Sequence, residues 1–248
     1  MRWPAVACIL LIMLAGASNA ANEGRARHFS ITYATGSAHE MDDSSLLDVL
    51  EGAYDRVNGC FGTCPGHVEV IVVDDKAMDE EAGEHVDSFS AWNKAMSAVV
   101  LRQEALKNGT SLPVVVEHEM AHLAINDILC KKDPREFQWM EEGICTLASK
   151  EPLCEADVSK YIVGHGFLDT PGIQDAIKNE NCTISKNGYM QSYSLVRRMV
   201  QQYGMSAIID MLECPETGLD EAFRQCTGEG FRTFYEEWEK DVMATASK

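Results

Sequence analysis

The chain has 248 residues, 46% of them hydrophobic and 24% charged, with 21 basic residues set against 39 acidic ones for a formal charge of −18. A surface this acidic is repelled by nucleic acid and by anionic membranes, which excludes both as partners. It leaves the substrate or ligand class open.

The chain begins with an export signal. Arg2 supplies a positive start, Ala5 to Leu14 an apolar core too short to span a bilayer, and Ala17-Ser18-Asn19-Ala20 a small-residue cleavage site. Residues 1–20 are therefore expected to be removed near Ala20, giving a secreted or periplasmic protein with no stable membrane anchor. No cysteine stands at the cleavage point to carry a lipid. Cleavage also removes Arg2, so that 20 basic residues face 39 acidic ones and the formal charge becomes −19. The remaining length suffices for one domain of two lobes, 21–129 and 130–248.

Cys8 lies in the leader, leaving Cys60, Cys64, Cys130, Cys145, Cys154, Cys182, Cys214 and Cys226. An even number in an exported chain implies up to four disulfides, with pairing undetermined. Cys60-x-x-x-Cys64 has no second pair at finger spacing, so a structural zinc ribbon is not expected.

Strand and helix signals alternate in the first lobe. Phe29, Ile31 and Tyr33 alternate as a strand, Leu46, Leu50, Tyr54 and Val57 recur at helical spacing, and Val68 to Val73 is a nearly continuous apolar strand. The acidic run from Asp74 to Asp87 reads as a solvated loop without calcium-loop spacing. Ala98 to Leu101 forms another strand. Asn108-Gly109-Thr110 and Asn181-Cys182-Thr183 are glycosylation acceptors in a eukaryotic source.

Thr110, Ser111 and Pro113 then open an apolar helix that contains His118-Glu119-Met120-Ala121-His122. Histidines four residues apart share one helix face and can hold one metal ion, while Glu119 can take a proton from a water on that ion. A catalytic Zn²⁺ takes three protein ligands and keeps a fourth position open, so a further donor is required. Glu142, 20 residues after His122, is a candidate, and its neighbour Glu141 competes, since one residue turns a helix by about 100°.

Beyond Cys130 strand signals stop. Helical patterns cover Glu141 to Ser149, Tyr189 to Tyr203, Ser206 to Leu212, Leu219 to Cys226 and Phe231 to Met243. Lys150 to Asn187 carries the weakest pattern and reads as a loop. Phe231, Phe234 and Trp238 fit core packing better than a cofactor site. Tyr189, Tyr193, Val196, Val200 and Tyr203 share one helical face, which by periodicity alone is a core face.

With His118-Glu119-x-x-His122 and Trp139-x-x-Glu142-Gly143, the chain resembles the gluzincin metallopeptidases of the thermolysin-like clan, and in particular small peptidase-MA-like domains. Tyr189-Met190-Gln191-Ser192, Leu195-Val196, Tyr203-Gly204, Leu219 to Phe223 and Glu237-Trp238 resemble that family's C-terminal helices in order. The resemblance implies an α+β fold. A mixed strand and helix lobe would end in the zinc helix, an all-helical lobe would follow, and the cleft would lie between them.

It further implies His118, His122 and Glu142 as zinc ligands, with Glu142 favoured over Glu141, and Glu119 as general base. Tyr189 would donate to the developing oxyanion; His165, a histidine between two glycines, is a rival donor by residue type and not by the resemblance. Ser97 to Leu101 would be the strand that walls the cleft and pairs with extended substrate. One position departs from the pattern: Thr146 stands where many gluzincins have an aspartate that orients a ligand histidine, so Asn126, Asp127 or a carbonyl must serve. His28, His39, His67 and His85 read as ordinary polar positions.

The function expected is hydrolysis of a peptide or protein substrate by metal-activated water. The Gly-x-Met-Glu-Asn element of related aminopeptidases is not found upstream of His118, where the nearest stretch is Trp92-Asn93-Lys94-Ala95-Met96, and this favours an endopeptidase. The alternative is a secreted, disulfide-bonded, zinc-stabilised binding or inhibitor module without turnover. Glu119 argues against that alternative, because holding a metal does not need it.

Overall fold

The computed structural model describes residues 27–34, 36–37, 40–83, 86–92, 96–107, 111–129, 137–213 and 218–248. Residues 1–20, expected to be an export leader, His39, His85, Asn108, Cys130 and Cys214 lie outside them. The class is α+β, with two compact units, Met1–Asp127 and Ile128–Lys248.

In the first unit, β1 (Phe29–Tyr33), β2 (Val68–Val73), β3 (Ser88–Trp92) and β4 (Ser97–Arg102) form one sheet in the order β1-β2-β4-β3. β1 pairs parallel with β2 and β2 with β4, while β3 runs antiparallel to β4, with Ser88 opposite Leu101 and Trp92 opposite Ser97. The apolar run in β2 reflects burial on both faces. Val68, Val70 and Val72 enter one core with Leu46, Leu50, Val116 and Met120, and Ile71 and Val73 enter a second with Met78 and Phe89. The period of two in strand side chains sorts them.

Helix α1 (Asp43–Phe61) buries Leu46, Leu50, Tyr54 and Val57, as their spacing predicts. Asp42 caps it by accepting from the Ser45 amide at 3.0 Å, and Gly62 ends it with φ 73°, a conformation that costs glycine little. The acidic run after β2 is not a plain loop. Asp74 accepts from the Ala77 amide at 2.8 Å and opens α2 (Asp75–Glu81), where carboxylates near the N-terminus also meet the positive end of the helix. After β4 come α3 (Gln103–Lys107) and α4 (Leu112–Ile128). The Ser111 carbonyl accepts the first intrahelical bond from Val115 at 3.0 Å, and Pro113 sits in the first turn, where a missing N–H costs nothing.

The position of β4 corrects one expectation. Ser97 to Leu101 cannot pair with a substrate, because both its edges are taken by β2 and β3. The edge strand on that side is β3. Its Ser-Phe-Ser-Ala-Trp alternation is short and adjoins the acidic run, which hid it.

The second unit is helical throughout its described residues: α5 (Gln138–Ala148), α6 (Glu155–His165), α7 (Thr170–Ile177), α8 (Cys182–Tyr203), α9 (Met205–Glu213), α10 (Leu219–Thr227) and α11 (Phe231–Ala246). The segment Lys150 to Asn187 is therefore mostly helix, made of α6, α7 and the first turns of α8 joined by short loops. Its signals are caps: Asp169 accepts from the Gly172 amide at 2.8 Å, and Asn181 from the Thr183 and Ile184 amides at 3.0 and 3.3 Å. Helix α8 packs against α5, α6 and α7 and buries Leu195, Val196 and Met199. Phe223, Phe231, Phe234 and Trp238 are buried, and the Phe223 ring meets Phe231 and Phe234 at centroid distances of 5.3 and 5.1 Å.

Candidate metal centre

Helix α4 is apolar on most sides, with Leu112, Val116, Met120, Leu123 and Ala124 built into the core against the sheet. That packing fixes its rotation. His118 and His122, one turn apart, are half-buried on a shared face, and Glu119 is 7% exposed. One residue before His118, Glu117 accepts from Arg56 Nε of α1 at 2.6 Å and ties the helix to its neighbour.

The two histidine Nε2 atoms stand 3.3 Å apart, with ring centroids at 5.0 Å and planes at 63°. Two nitrogens each about 2.0–2.1 Å from a tetrahedral zinc are separated by about 3.3 Å. The imidazoles are thus already spaced as two corners of that coordination shell.

Helix α5 sets the carboxylates. Trp139, 1% exposed, accepts from the Ser192 hydroxyl through its carbonyl, and its amide donates to Gln174 Oε1 at 2.9 Å. Four residues on, a Cβ at Gly143 would come within 2.6 Å of the Ser192 carbonyl oxygen and of Val196 Cγ2. Only glycine lets α8 approach so closely, which gives the Trp139-x-x-Glu142-Gly143 element a packing reason. Both candidate carboxylates are buried, Glu141 at 4% and Glu142 at 8% exposure. Among the described residues one group has three metal-type donors together: the donor atoms of His118, His122 and Glu142 lie within 4.8 Å of one another. Glu141 is not in that group.

Glu119 accepts a hydrogen bond from Ser88 Oγ at 2.7 Å. This partner has no sequence signal, being one serine on an edge strand 31 residues upstream. Tyr189 is half-buried on α8, three residues before Ser192, and so on the side of the helix that meets α5. Buried Tyr193 and Val196 continue that face into the core. Thr146 is buried, and Asp127 accepts from the Thr63 hydroxyl at 2.8 Å.

The other described histidines are held elsewhere. His165 is exposed at the end of α6, where its Nδ1 meets the Tyr161 carbonyl at 2.8 Å and its ring stacks on Tyr161. His28 meets Glu51 at 2.7 Å and stacks on Tyr54, bracing β1 to α1, and His67 meets the Ser30 hydroxyl at 2.9 Å. Cys60, Cys64, Cys154 and Cys182 are free thiols. Burial, with the Asp127 charge adding, pushes the Cys64 thiol up to about 12.

Comparison with protein families, with curated proteins and with solved structures gave no match.

Proposed function

We propose that the chain is a secreted zinc-dependent metallopeptidase of gluzincin type, acting as an endopeptidase on a peptide or protein substrate. The observation that carries this reading is the meeting of the His118, His122 and Glu142 donor atoms within 4.8 Å, with the imidazole nitrogens at a tetrahedral spacing. Two neutral imidazoles and one carboxylate are the donor set that suits zinc and leaves a fourth position open.

His118, His122 and Glu142 would hold the ion. Bound zinc supplies Lewis acidity, polarising the substrate carbonyl and bringing the pKa of its water toward neutrality. Glu119 would take a proton from a water poised against the substrate carbonyl and would return it to the leaving amine. Tyr189 is the candidate donor to the oxygen that gains negative charge. The outer edge of β3, which no strand among the described residues pairs, would offer donors and acceptors to an extended peptide, in place of β4.

Glu119→Gln keeps size and helix while removing the base. Zinc-replete parent is expected to cleave members of a mixed peptide library, read by mass spectrometry, and the variant to cleave them orders of magnitude more slowly while still holding zinc. A parent that cleaves nothing would sink the peptidase reading in favour of a zinc-stabilised binding module.

A further inference from the structure

We propose that Ser88 is a positioning residue for Glu119, fixing one carboxylate oxygen so that the other is presented for proton transfer. The inference rests on the peptidase reading, since it concerns the same carboxylate.

Glutamate has three rotatable side-chain bonds, and a general base works only when its oxygen is held within hydrogen-bond reach of the proton it takes. Burial of the Glu119 side chain removes much of its freedom without choosing which oxygen faces the substrate. The Ser88 hydroxyl makes that choice by donating to Oε1 at 2.7 Å, which commits Oε1 and leaves Oε2 for the reaction. A hydroxyl donating to a carboxylate is a charge-assisted bond, stronger than a neutral one, and so holds a single geometry.

The fold holds Ser88 from two sides. As the first residue of β3 it pairs opposite Leu101 on interior strand β4. Just before it, the chain is gripped by Arg102, 7% exposed, whose amide donates to the Asp87 carbonyl at 2.8 Å. Its guanidinium donates to the Val86 and Gly83 carbonyls at 3.0 and 3.1 Å and pairs with Asp79 at 2.7 Å. Arg102 thus fixes the backbone leading into β3, and β3 delivers a hydroxyl to α4. The strand that offers an edge to substrate and the carboxylate that acts on it are joined by one hydrogen bond, so the base is aligned to the strand along which the peptide would lie.

The test compares Ser88→Ala and Ser88→Thr in the full mature chain. Ser88→Ala is expected to lose about 10-fold to 100-fold in kcat, with KM, zinc content and melting temperature close to the parent's. Ser88→Thr keeps a hydroxyl on a strand-compatible residue and is expected to restore most of the rate. In a Glu119→Gln background Ser88→Ala is expected to add no further loss, because the group it positions is already disabled. Parental kcat in Ser88→Ala, failure of Ser88→Thr to restore it, or a full additional loss in the Glu119→Gln background would each overturn the role.

Crystals of the metal-free proteins give a readout independent of turnover. The Glu119 carboxylate should be in one rotamer in the parent and spread over several in Ser88→Ala, and a single unchanged rotamer in both would overturn positioning. Should the parent be inactive while the rotamers differ, the peptidase reading fails and Ser88 orders a carboxylate without catalytic use, which overturns the role in proton transfer.

Discussion

Each residue at the centre has a distinct local cause. His118 and His122 were legible in the sequence because helical periodicity alone puts i and i+4 on one face, and the helix that carries them is apolar enough to be fixed by its core. Glu119 was legible from its place in the His118-Glu119-x-x-His122 motif, one residue after His118. Ser88 was not, since its bond to Glu119 spans 31 residues and exists only once β3 has paired with β4. Tyr189 lies between these cases: half-buried on α8 beside fully buried Tyr193, it has the environment of neither a surface residue nor the core proper. If its phenol donates to the oxyanion, the bond contributes roughly 2.7–4 kcal/mol to the transition state, by analogy with other such donors. Tyr189→Phe should then lose about 10² to 10³ in kcat with little change in melting temperature. Steady-state kinetics beside a thermal melt checks this, and a parental kcat would return Tyr189 to the packing of α8.

Whole elements were read well where burial was one-sided or complete, as in α1 and β2, and badly where caps carried the signal. Helices α2, α6 and α7 are short. They start on Asp74, Cys154 and Asp169 respectively, and two of these three caps use a side-chain bond that hydrophobic periodicity does not register. The strand Ser88–Trp92 was lost beside the acidic run, and with it the identity of the sheet edge. At this scale the α5–α8 contact is the one that bears on the candidate ligand Glu142. Gly143→Ala would put a methyl group 2.6 Å from the Ser192 carbonyl, an atom of helical backbone that cannot step aside. The helices must separate, at a cost of about 1–3 kcal/mol as for other overpacked sites, and Glu142 moves with α5. The expected outcome is a lower denaturation midpoint together with weaker zinc retention. An unchanged midpoint would mean that α5 and α8 yield more easily than their close approach implies.

At the scale of the whole molecule, composition gave the acidic charge and the gluzincin resemblance implied the α+β class, while the order of strands in the sheet had no signature in the sequence. No helix among the described residues is long and apolar enough to cross a membrane. The leader expected from the sequence would mean export, and export would mean that the eight remaining cysteines are oxidised, whereas Cys60, Cys64, Cys154 and Cys182 are thiols in the structure. Thiol titration of denatured, unreduced mature protein is expected to find close to none, and several free thiols would point to a reducing compartment. The central claim, a zinc ion on His118, His122 and Glu142, is tested most directly by elemental analysis of the purified mature chain and its variants. One zinc per chain is expected in the parent, retained in Glu141→Ala and lost in His122→Ala and Glu142→Ala; a parent without stoichiometric zinc, or loss in Glu141→Ala with retention in Glu142→Ala, would contradict it.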